Sequence, residues 1–369
     1  MVGKDLIMAT LFGSGGGSSG SGGGSAGVSP KEVNFYDYDG TCVHAYTVAE
    51  AQALSELPAG PEHPGLVFQG WNWSLEGVKG LTRAMNIGAM YTTDDGTTRL
   101  YITLQEGRTS PMLGVGVNGT VTVDWGDGTE PNVLTGTDIS TTKWTPEHAY
   151  AAPGDYVIRL TVDGEMGLLG MTGTGGSCVL RHSESSDNRN KNYLYAVRKA
   201  EIGANVQLEG VAFHSCISLA SVSIPANVVL QGAYTFYGCT GLKYITVPTG
   251  ETVMTTMSNQ FANCYGLSFV SYPERGVTSY RNSVFSSCSS FASVIVPAQV
   301  ISIEARSFYG CNGVAFYDFT AHTAVPSLAN TNAFTGIPAD CEIRVPAALY
   351  DEWIAATNWA TYADYIKAY

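Results

Sequence analysis

Hydrophobic positions recur at a regular spacing through residues 203–345. A phenylalanine is followed three residues later by a cysteine, and three residues after that by Leu, Phe or Val. The five complete units are Phe213/Cys216/Leu219, Phe236/Cys239/Leu242, Phe261/Cys264/Leu267, Phe285/Cys288/Phe291 and Phe308/Cys311/Val314, with a degenerate sixth at Phe334. A unit of this length cannot bury its own apolar face, so the repeat predicts stacked coils that form a solenoid.

The first four units then end in an apolar-x-apolar-Pro strand, for example Val222/Ile224/Pro225. This combination resembles the BspA-like leucine-rich repeats of bacterial surface proteins. The resemblance implies binding of proteins or glycans at a cell surface. The five repeat cysteines are predicted to form a column of small buried side chains whose parallel Cβ vectors disfavour disulfides. The pairing of Cys42, Cys178 and Cys341 stays open.

Before the repeats, residues 30–104 predict a small α+β unit. Thr47 and Glu50 match a capping box, and Ser74 is a candidate N-cap for a second helix. A hairpin is expected at Asp95-Gly96. After the repeats, residues 346–369 predict one or two amphipathic helices that cap the solenoid. Their inward candidates are Leu349, Trp353, Tyr362 and Ile366.

Residues 105–165 alternate like strands and carry Trp125-Gly126-Asp127-Gly128-Thr129, then His148-Ala149-Tyr150 and Pro153-Gly154-Asp155-Tyr156. These features resemble the PKD-type immunoglobulin-like β-sandwich. Residues 166–202 are a connector, and residues 1–29 combine a short segment with a flexible Gly/Ser linker. The predicted fold class is therefore mainly β, as a β-rich α+β protein with a leucine-rich repeat solenoid and a helical C-terminal cap.

Composition limits the partners. The net charge is −13 and no basic run exists, so nucleic acid is not an expected partner. No apolar stretch reaches the length of a membrane span, so no membrane insertion is expected. Residues 1–12 lack a full signal-peptide pattern. Only 14% of the residues are charged, which is more common in extracellular and virion β-proteins than in cytosolic enzymes.

Within each repeat strand the residues between the apolar positions point away from the solenoid core. The candidate binding residues on this outward face are Tyr244, Thr246, Phe269, Ser271, Phe316 and Asp318. Exposed aromatic residues often anchor recognition. The alternative is that a loop, another domain or a partner subunit covers them, and the sequence leaves both interpretations open.

Other candidate residues have structural interpretations beside the functional ones. Trp71 and Trp73 are possible glycan contacts, although a place in the core is favoured. Asp124 and Asp127 are candidate calcium ligands, but the EF-hand spacing is absent and no metal site is the favoured interpretation. No cofactor is predicted.

The stretch VNFYDYDGT, which contains Asp37 and Asp39, resembles the nucleophile motif of haloacid-dehalogenase-type phosphatases. That resemblance implies attack on phosphorus by Asp37 and proton transfer by Asp39. No βαβ series follows the motif, so a hairpin turn is the favoured interpretation.

The favoured function is a non-enzymatic recognition or adhesion protein that binds protein or glycan on a cell surface. Two settings remain open, namely a phage virion appendage such as a receptor-binding fibre and a secreted or surface bacterial adhesin. The weak signal-peptide pattern and the N-terminal tether favour the virion appendage, and the expected location is extracellular or in a virion. Assembly into a virion or a homo-oligomer would use the N-terminal segment.

Overall fold

The computed structural model describes residues 27–170, 178–182, 193–228, 230, 232–249, 254–274 and 276–369. The N-terminal segment and the Gly/Ser linker as far as residue 26 lie outside these residues. The described chain is mainly β, as predicted, with sheets in the N-terminal region and a solenoid in the C-terminal part.

The N-terminal unit is a four-stranded sheet with two short helices. Its elements are β1 (Val33–Tyr36), β2 (Cys42–Tyr46), α1 (Val48–Gln52), β3 (Leu66–Trp71), α2 (Leu75–Lys79) and β4 (Met85–Thr93). The strand order is β2-β1-β4-β3, with β1 parallel to β4. Both predicted caps are confirmed, because Thr47 and Glu50 form a capping box and the Ser74 hydroxyl accepts from the backbone N–H of Gly77.

The hairpin predicted at Asp95-Gly96 is wrong. Strand β4 pairs with β1 through Met85–Gly88 and with β3 through Ala89–Thr93, and it makes no ladder with the strand that follows. The chain instead turns into β5 (Thr98–Leu104), which belongs to another sheet. Arg99 stabilises this turn through ion pairs with Asp94 at 2.8 Å and Asp95 at 2.9 Å.

The central region is a large sheet that continues into the solenoid. Beyond β5 its elements are β6 (Pro111–Leu113), β7 (Val115–Asp124), β8 (Asn132–Trp144), β9 (Gly154–Leu168), β10 (Leu180–His182) and β11 (Val197–Glu201). A seven-stranded sheet contains β5, β7, β8, β9 and β11, while β6 pairs with β10. The sheet includes β5, from the unit predicted to end at residue 104, and β9 continues past the boundary predicted at residue 165. A PKD-type topology stays a prediction.

The solenoid has six coils, numbered one to six by Phe213, Phe236, Phe261, Phe285, Phe308 and Phe334. Its strands are β12 (Val206–Leu208), β13 (Ser221–Ser223), β14 (Tyr244–Thr246), β15 (Met254–Thr255), β16 (Phe269–Ser271), β17 (Val277–Tyr280), β18 (Ser293–Ile295), β19 (Ser302–Ile303), β20 (Phe316–Asp318), β21 (Ser327–Leu328) and β22 (Glu342–Val345). Consecutive phenylalanine rings lie 5.3–5.7 Å apart with interplanar angles of 7° to 23°. This phenylalanine ladder runs through the core from end to end.

The repeat cysteines line the core beside the ladder. The thiol of each donates to the backbone carbonyl of the phenylalanine one coil earlier, at 3.0 Å for Cys239 and Cys264, 3.1 Å for Cys311 and 3.2 Å for Cys288. A thiol is therefore favoured here because it is small, apolar and able to donate one hydrogen bond.

Cys216, in coil one, departs from this pattern. It was predicted to be unpaired, but it forms a disulfide with Cys178, with the two Cα atoms 6.3 Å apart. Coil one has no earlier coil beside it, and the connector residues Cys178 and Val179 lie where the preceding coil would otherwise be. The backbone N–H of Val179 donates to the carbonyl of Ala212 at 2.8 Å. The disulfide thus joins the connector to the open end of the solenoid.

The turn between the two strand columns uses left-handed backbone at a fixed position. The residue two places after each phenylalanine has a φ of 58° to 87°, namely Ser215, Gly238, Asn263, Ser287, Gly310 and Gly336. Small or polar residues dominate there because larger L-residues tolerate this conformation poorly. The first five donate their backbone N–H to a carbonyl of the next coil at 2.6–2.8 Å. These bonds connect neighbouring coils along the turn between the two strand columns, which we call the turn side of the solenoid.

The C-terminal cap contains a 3-10 turn (Ala347–Leu349), α3 (Tyr350–Ala355), a second 3-10 turn (Trp359–Tyr362) and β23 (Ile366–Ala368). The helical cap is confirmed, but Ile366 lies in a strand that pairs with β22 rather than in a helix. Trp353, Tyr362 and Ile366 are buried as predicted. Phe334, the last ring of the ladder, contacts Trp359 with ring centroids 5.5 Å apart.

Removing one ring from the middle of the ladder should destabilise the whole solenoid. For Phe261→Ala we expect the free energy of unfolding, measured by urea titration, to fall by about 3–5 kcal/mol. The side chain is fully buried between two stacked rings, so truncation leaves a cavity. The control is Ile301→Ala, which is 69% exposed and should change stability by less than about 0.5 kcal/mol. Similar effects in both variants would contradict the ladder.

The buried His322, which packs against Trp353 of the cap, should make the protein acid-sensitive. Burial, with the neighbouring charge of Arg83, lowers the pKa of His322 to about 4, against about 6.5 in an unfolded chain. Between these values the unfolded chain binds a proton that the folded chain does not, so stability falls as the pH drops through this range.

The contribution reaches about 3 kcal/mol at the acid end. Urea titrations at about pH 7 and about pH 4 should therefore show a smaller acid loss for His322→Gln than for the wild type. An equal loss of stability in both proteins would show that a group other than His322 causes the destabilisation at low pH.

Candidate binding surfaces

The strand face of coils two and three lies beneath the N-terminal unit. Tyr244, Thr246 and Ser271 are only 2%, 5% and 1% exposed. The ring of Tyr36, in β1, lies between them and solvent, with centroid distances of 5.7 Å to Tyr244 and 4.5 Å to Phe269. Of the two interpretations that the sequence leaves open, coverage by another domain applies to these three residues, because the N-terminal unit lies over them.

Asn72 fixes this contact by hydrogen bonding to both sides. Its side-chain amide donates to the carbonyls of Val247 and Ser271, each at 3.2 Å, while its oxygen accepts from the backbone N–H of Gly88 at 2.9 Å. Gly88 is required because a Cβ there would collide with the Thr246 hydroxyl. Asn72 is fully buried, so its amide replaces water-mediated bonding at the contact.

The outward residues of coil five are half-buried and have partners within the chain. Asp318 forms an ion pair with Arg83 at 3.6 Å, and the guanidinium of Arg344 lies 3.8 Å above the ring of Phe316. Phe269 is half-buried against Tyr36. All three therefore contact other parts of the chain, in agreement with the covered interpretation.

The two candidate glycan tryptophans also face inward. Trp71 is 5% exposed and its indole N–H donates to the carbonyl of Pro58 at 2.7 Å, which confirms the core interpretation. Trp73 is half-buried and donates to the carbonyl of Tyr272 at 2.9 Å. Trp73 therefore belongs to the contact between the N-terminal unit and the solenoid.

The stretch around Asp37 and Asp39 forms the predicted hairpin turn between β1 and β2. Asp39 accepts from the backbone N–H of Thr41 at 2.8 Å. Asp37 is 3% exposed and its carboxylate lies 2.7 Å from Nε2 of His63. Burial raises the pKa of Asp37, and the nearby imidazole opposes that rise. Asp37 is thus a buried, paired carboxylate.

A charged cluster joins the N-terminal unit to the central sheet. Glu201 is 2% exposed and accepts from the ammonium of Lys199 at 2.7 Å and the hydroxyl of Tyr101 at 2.9 Å. The ammonium lies 5.3 Å from the ring centroid of Tyr38. Burial disfavours the charged lysine, but hydrogen bonds to Glu201 and Tyr38 outweigh it and raise the pKa of Lys199. The buried charge of Glu201 is therefore paired, and the cluster connects the N-terminal unit to the central sheet.

Asp124 and Asp127, the calcium candidates, are used in the local turn. Asp124 accepts from the backbone N–H of Gly126 at 2.8 Å. Asp127 accepts from the Thr129 hydroxyl at 2.7 Å and lies 2.7 Å from Nε2 of His148. Within the described ranges no three His, Cys, Asp or Glu side chains gather in a way that could hold a metal ion.

An aromatic cluster lies on the turn side of the solenoid, away from the outward strand positions. His214 stacks on Tyr237 with ring centroids 4.7 Å apart, and Tyr234 packs against Tyr237 at 5.6 Å. Tyr234 is 39% exposed, Tyr265 in the next coil is 50% exposed, and Tyr309 in coil five is 42% exposed. We call His214, Tyr234 and Tyr237 the tyrosine patch. The sequence feature that could have indicated this surface is an aromatic residue directly after the repeat phenylalanine in coils one, two and five.

Comparison with known proteins identifies the repeats. The profile described as BspA type Leucine rich repeat region matches residues 206–336 in six copies, or 131 of the 369 residues. No curated protein matches the chain. The leucine-rich repeat part of the sequence resemblance is confirmed, and such repeats suggest a surface or adhesion-type role in protein binding. None of the helices in the described part of the chain has the length and hydropathy to cross a bilayer.

Replacing the buried Tyr244 should destabilise the protein more than replacing the exposed Tyr234. We expect Tyr244→Ala to lower the free energy of unfolding by about 3 kcal/mol, because its ring is buried between Tyr36 and Phe269. Tyr234→Ala should change it by less than about 1 kcal/mol, since that ring is exposed. Urea titration of both variants tests this. A Tyr244→Ala variant as stable as the wild type would mean that the N-terminal unit does not cover the strand face.

Proposed function

We propose that this protein is a non-enzymatic recognition or adhesion protein that binds protein or glycan on a cell surface through the turn side of its solenoid. The observation that carries the proposal is the tyrosine patch on the solenoid side that the N-terminal unit leaves uncovered. The BspA-type repeats support the same class of function.

The chemistry of the patch suits recognition of a polar surface. A tyrosine ring offers an apolar face for stacking together with a hydroxyl for hydrogen bonding, and it loses little conformational entropy on binding. The hydroxyl of Tyr237 already accepts from the side-chain amide of Asn263 at 2.6 Å, which holds its ring in place. Residues 203–345 carry seven acidic and five basic residues, so aromatic contacts and shape would outweigh electrostatic steering.

An extracellular location is part of the proposal. The disulfide between Cys178 and Cys216 is supporting evidence, because such bonds persist mainly in oxidising compartments. It favours the secreted or surface bacterial adhesin over a phage virion appendage, whose subunits fold in a reducing cytoplasm before release. The Gly/Ser linker supports either setting, as a tether to a cell or to a particle.

The absence of catalysis is likewise proposed. The phosphatase alternative needs Asp37 as an accessible nucleophile, whereas its carboxylate is buried against His63. Asp39 accepts from a backbone N–H of the turn instead of facing a substrate. These contacts support a structural role for both residues.

The double variant Tyr234→Ser/Tyr237→Ser tests the binding surface. Fluorescently labelled protein is applied to bacterial and epithelial cells, and the bound fraction is measured by flow cytometry. We expect the double variant to bind at least about tenfold more weakly, since central aromatic contacts contribute about 2 kcal/mol each at interfaces. Protease or periodate treatment of the cells distinguishes a protein ligand from a glycan ligand.

The matched control is Trp144→Ser, because Trp144 is a 43% exposed aromatic residue on β8 in the central sheet. It should bind as the wild type does. Equal binding by all three proteins, or equal losses in the double variant and the control, would contradict the role of the tyrosine patch.

A further inference from the structure

The turn side of the solenoid carries almost no charged residues. In each coil this turn runs from two residues before the ladder phenylalanine to four residues after it. The six segments read VAFHSCI, YTFYGCT, NQFANCY, SVFSSCS, RSFYGCN and NAFTGIP, and Arg306 is the only Asp, Glu, Lys or Arg in them. The chain as a whole is 14% charged, with a net charge of −13. Because the coils are stacked, the outward residues of these segments form one surface, which we call the neutral strip.

Aromatic, amide and hydroxyl groups make up the neutral strip. Exposed tyrosines lie on it in coils two, three and five. Asn312 is exposed, while Asn259 and Ser286 are half-buried. The side chains of these three residues form no hydrogen bond with the rest of the described chain, so their donors and acceptors are open to a ligand.

The lack of charge on the neutral strip restricts the ligand. A polyanion needs clustered Lys and Arg, and the one arginine present, Arg306, already lies 5.9 Å from the ring centroid of Tyr309. A protein partner would bring charged residues, which make up about a quarter of a typical domain. Burying those charges on a surface without counter-charges is unfavourable. The ligand that fits the strip is therefore uncharged.

The spacing of the neutral strip favours a chain over a single small molecule. Consecutive ladder rings lie 5.3–5.7 Å apart, so equivalent positions of the strip repeat at that interval along the solenoid axis. Tyr237 and Tyr309 follow the ladder phenylalanine directly in coils two and five, and Tyr265 lies between them in coil three. A small molecule would contact one of these rings, whereas a polymer along the axis would contact several and bind more tightly.

We propose that the neutral strip binds an uncharged polysaccharide whose chain runs along the solenoid axis from coil one to coil five. The inference rests on the proposed function and names the ligand class of its binding surface. The rings of the tyrosine patch, Tyr265 and Tyr309 stack on the apolar C–H faces of pyranose units. The amide and hydroxyl groups between these rings exchange hydrogen bonds with the sugar hydroxyls, which carry no charge.

An array of linear oligosaccharides tests the ligand class with the full-length, fluorescently labelled protein. The neutral probes are cello-, malto-, manno-, xylo- and chito-oligosaccharides, each as a disaccharide and as a hexasaccharide. The acidic comparators are oligogalacturonates of the same lengths, which carry one carboxylate per unit. We expect the protein to bind at least one neutral series, with the hexasaccharide bound at least about tenfold more tightly than the disaccharide. Oligogalacturonates should bind more weakly than that series.

The variant Tyr309→Ser tests whether the ligand extends along the strip. Tyr309 lies three coils from Tyr237 and outside the tyrosine patch. We expect the variant to bind the preferred hexasaccharide at least about fivefold more weakly, because one stacking contact is lost. The disaccharide, which the patch alone can hold, should bind as it does to the wild type. The matched control is Tyr369→Ser, because Tyr369 is a 57% exposed tyrosine outside the strip, and it should leave both affinities unchanged.

Near-ultraviolet circular dichroism confirms that each variant is folded. The polysaccharide proposal is overturned if no neutral series binds, if oligogalacturonates bind as tightly as the neutral probes, or if Tyr309→Ser keeps the hexasaccharide affinity of the wild type. The cell assay separates this failure from failure of the proposed function. Cell binding that protease abolishes and that Tyr234→Ser/Tyr237→Ser weakens would keep the recognition role and remove the polysaccharide. Unchanged cell binding by that double variant would remove the recognition role itself.

Discussion

The stack of phenylalanine rings is the constraint on which the rest of the structure depends. Six rings lie 5.3–5.7 Å apart in nearly parallel planes, so each coil must follow the last at that spacing. The thiols donate to the carbonyls of the same phenylalanines, and left-handed residues at each turn donate to the next coil. A change of register in one coil would break all three kinds of contact at once, which makes the repeat strongly cooperative.

A stack of this kind leaves an apolar surface at each end, and the chain closes both. Strands β9 and β11 pair with the first coil, and the Cys178–Cys216 disulfide joins the connector to that end. Trp353, Trp359 and Tyr362 cover the other end, where Phe334 would otherwise face solvent. The central sheet and the helical segment are therefore parts of one hydrophobic core with the solenoid rather than separate modules.

The side faces of the solenoid are used differently. The strand face is covered by the N-terminal unit, through the Tyr36 ring, the Asn72 amide and the Arg83 guanidinium. The N-terminal unit does not cover Tyr234 on the turn side. The packing of the N-terminal unit thus covers the outward strand positions of coils two and three.

The local pattern was sufficient for the elements whose stability comes from near neighbours. The repeat spacing predicted the solenoid, the capping residues predicted both short N-terminal helices, and Asp39-Gly40 predicted the β1–β2 turn, because each depends on residues close in sequence or on the identical neighbouring coil. Alternation along the strands also showed which side chains leave the coil core.

The same alternation could not show what lies beyond those side chains, because a period of two determines a direction and carries no information about a distant covering unit. Tyr244 meets Tyr36, and Cys216 meets Cys178, only when segments far apart in the sequence are packed together. Likewise β5 does not form the expected hairpin with β4, because it pairs with β9 and β11, which are remote in the sequence. Contacts between remote segments, which local periodicity does not encode, therefore determined the binding surfaces.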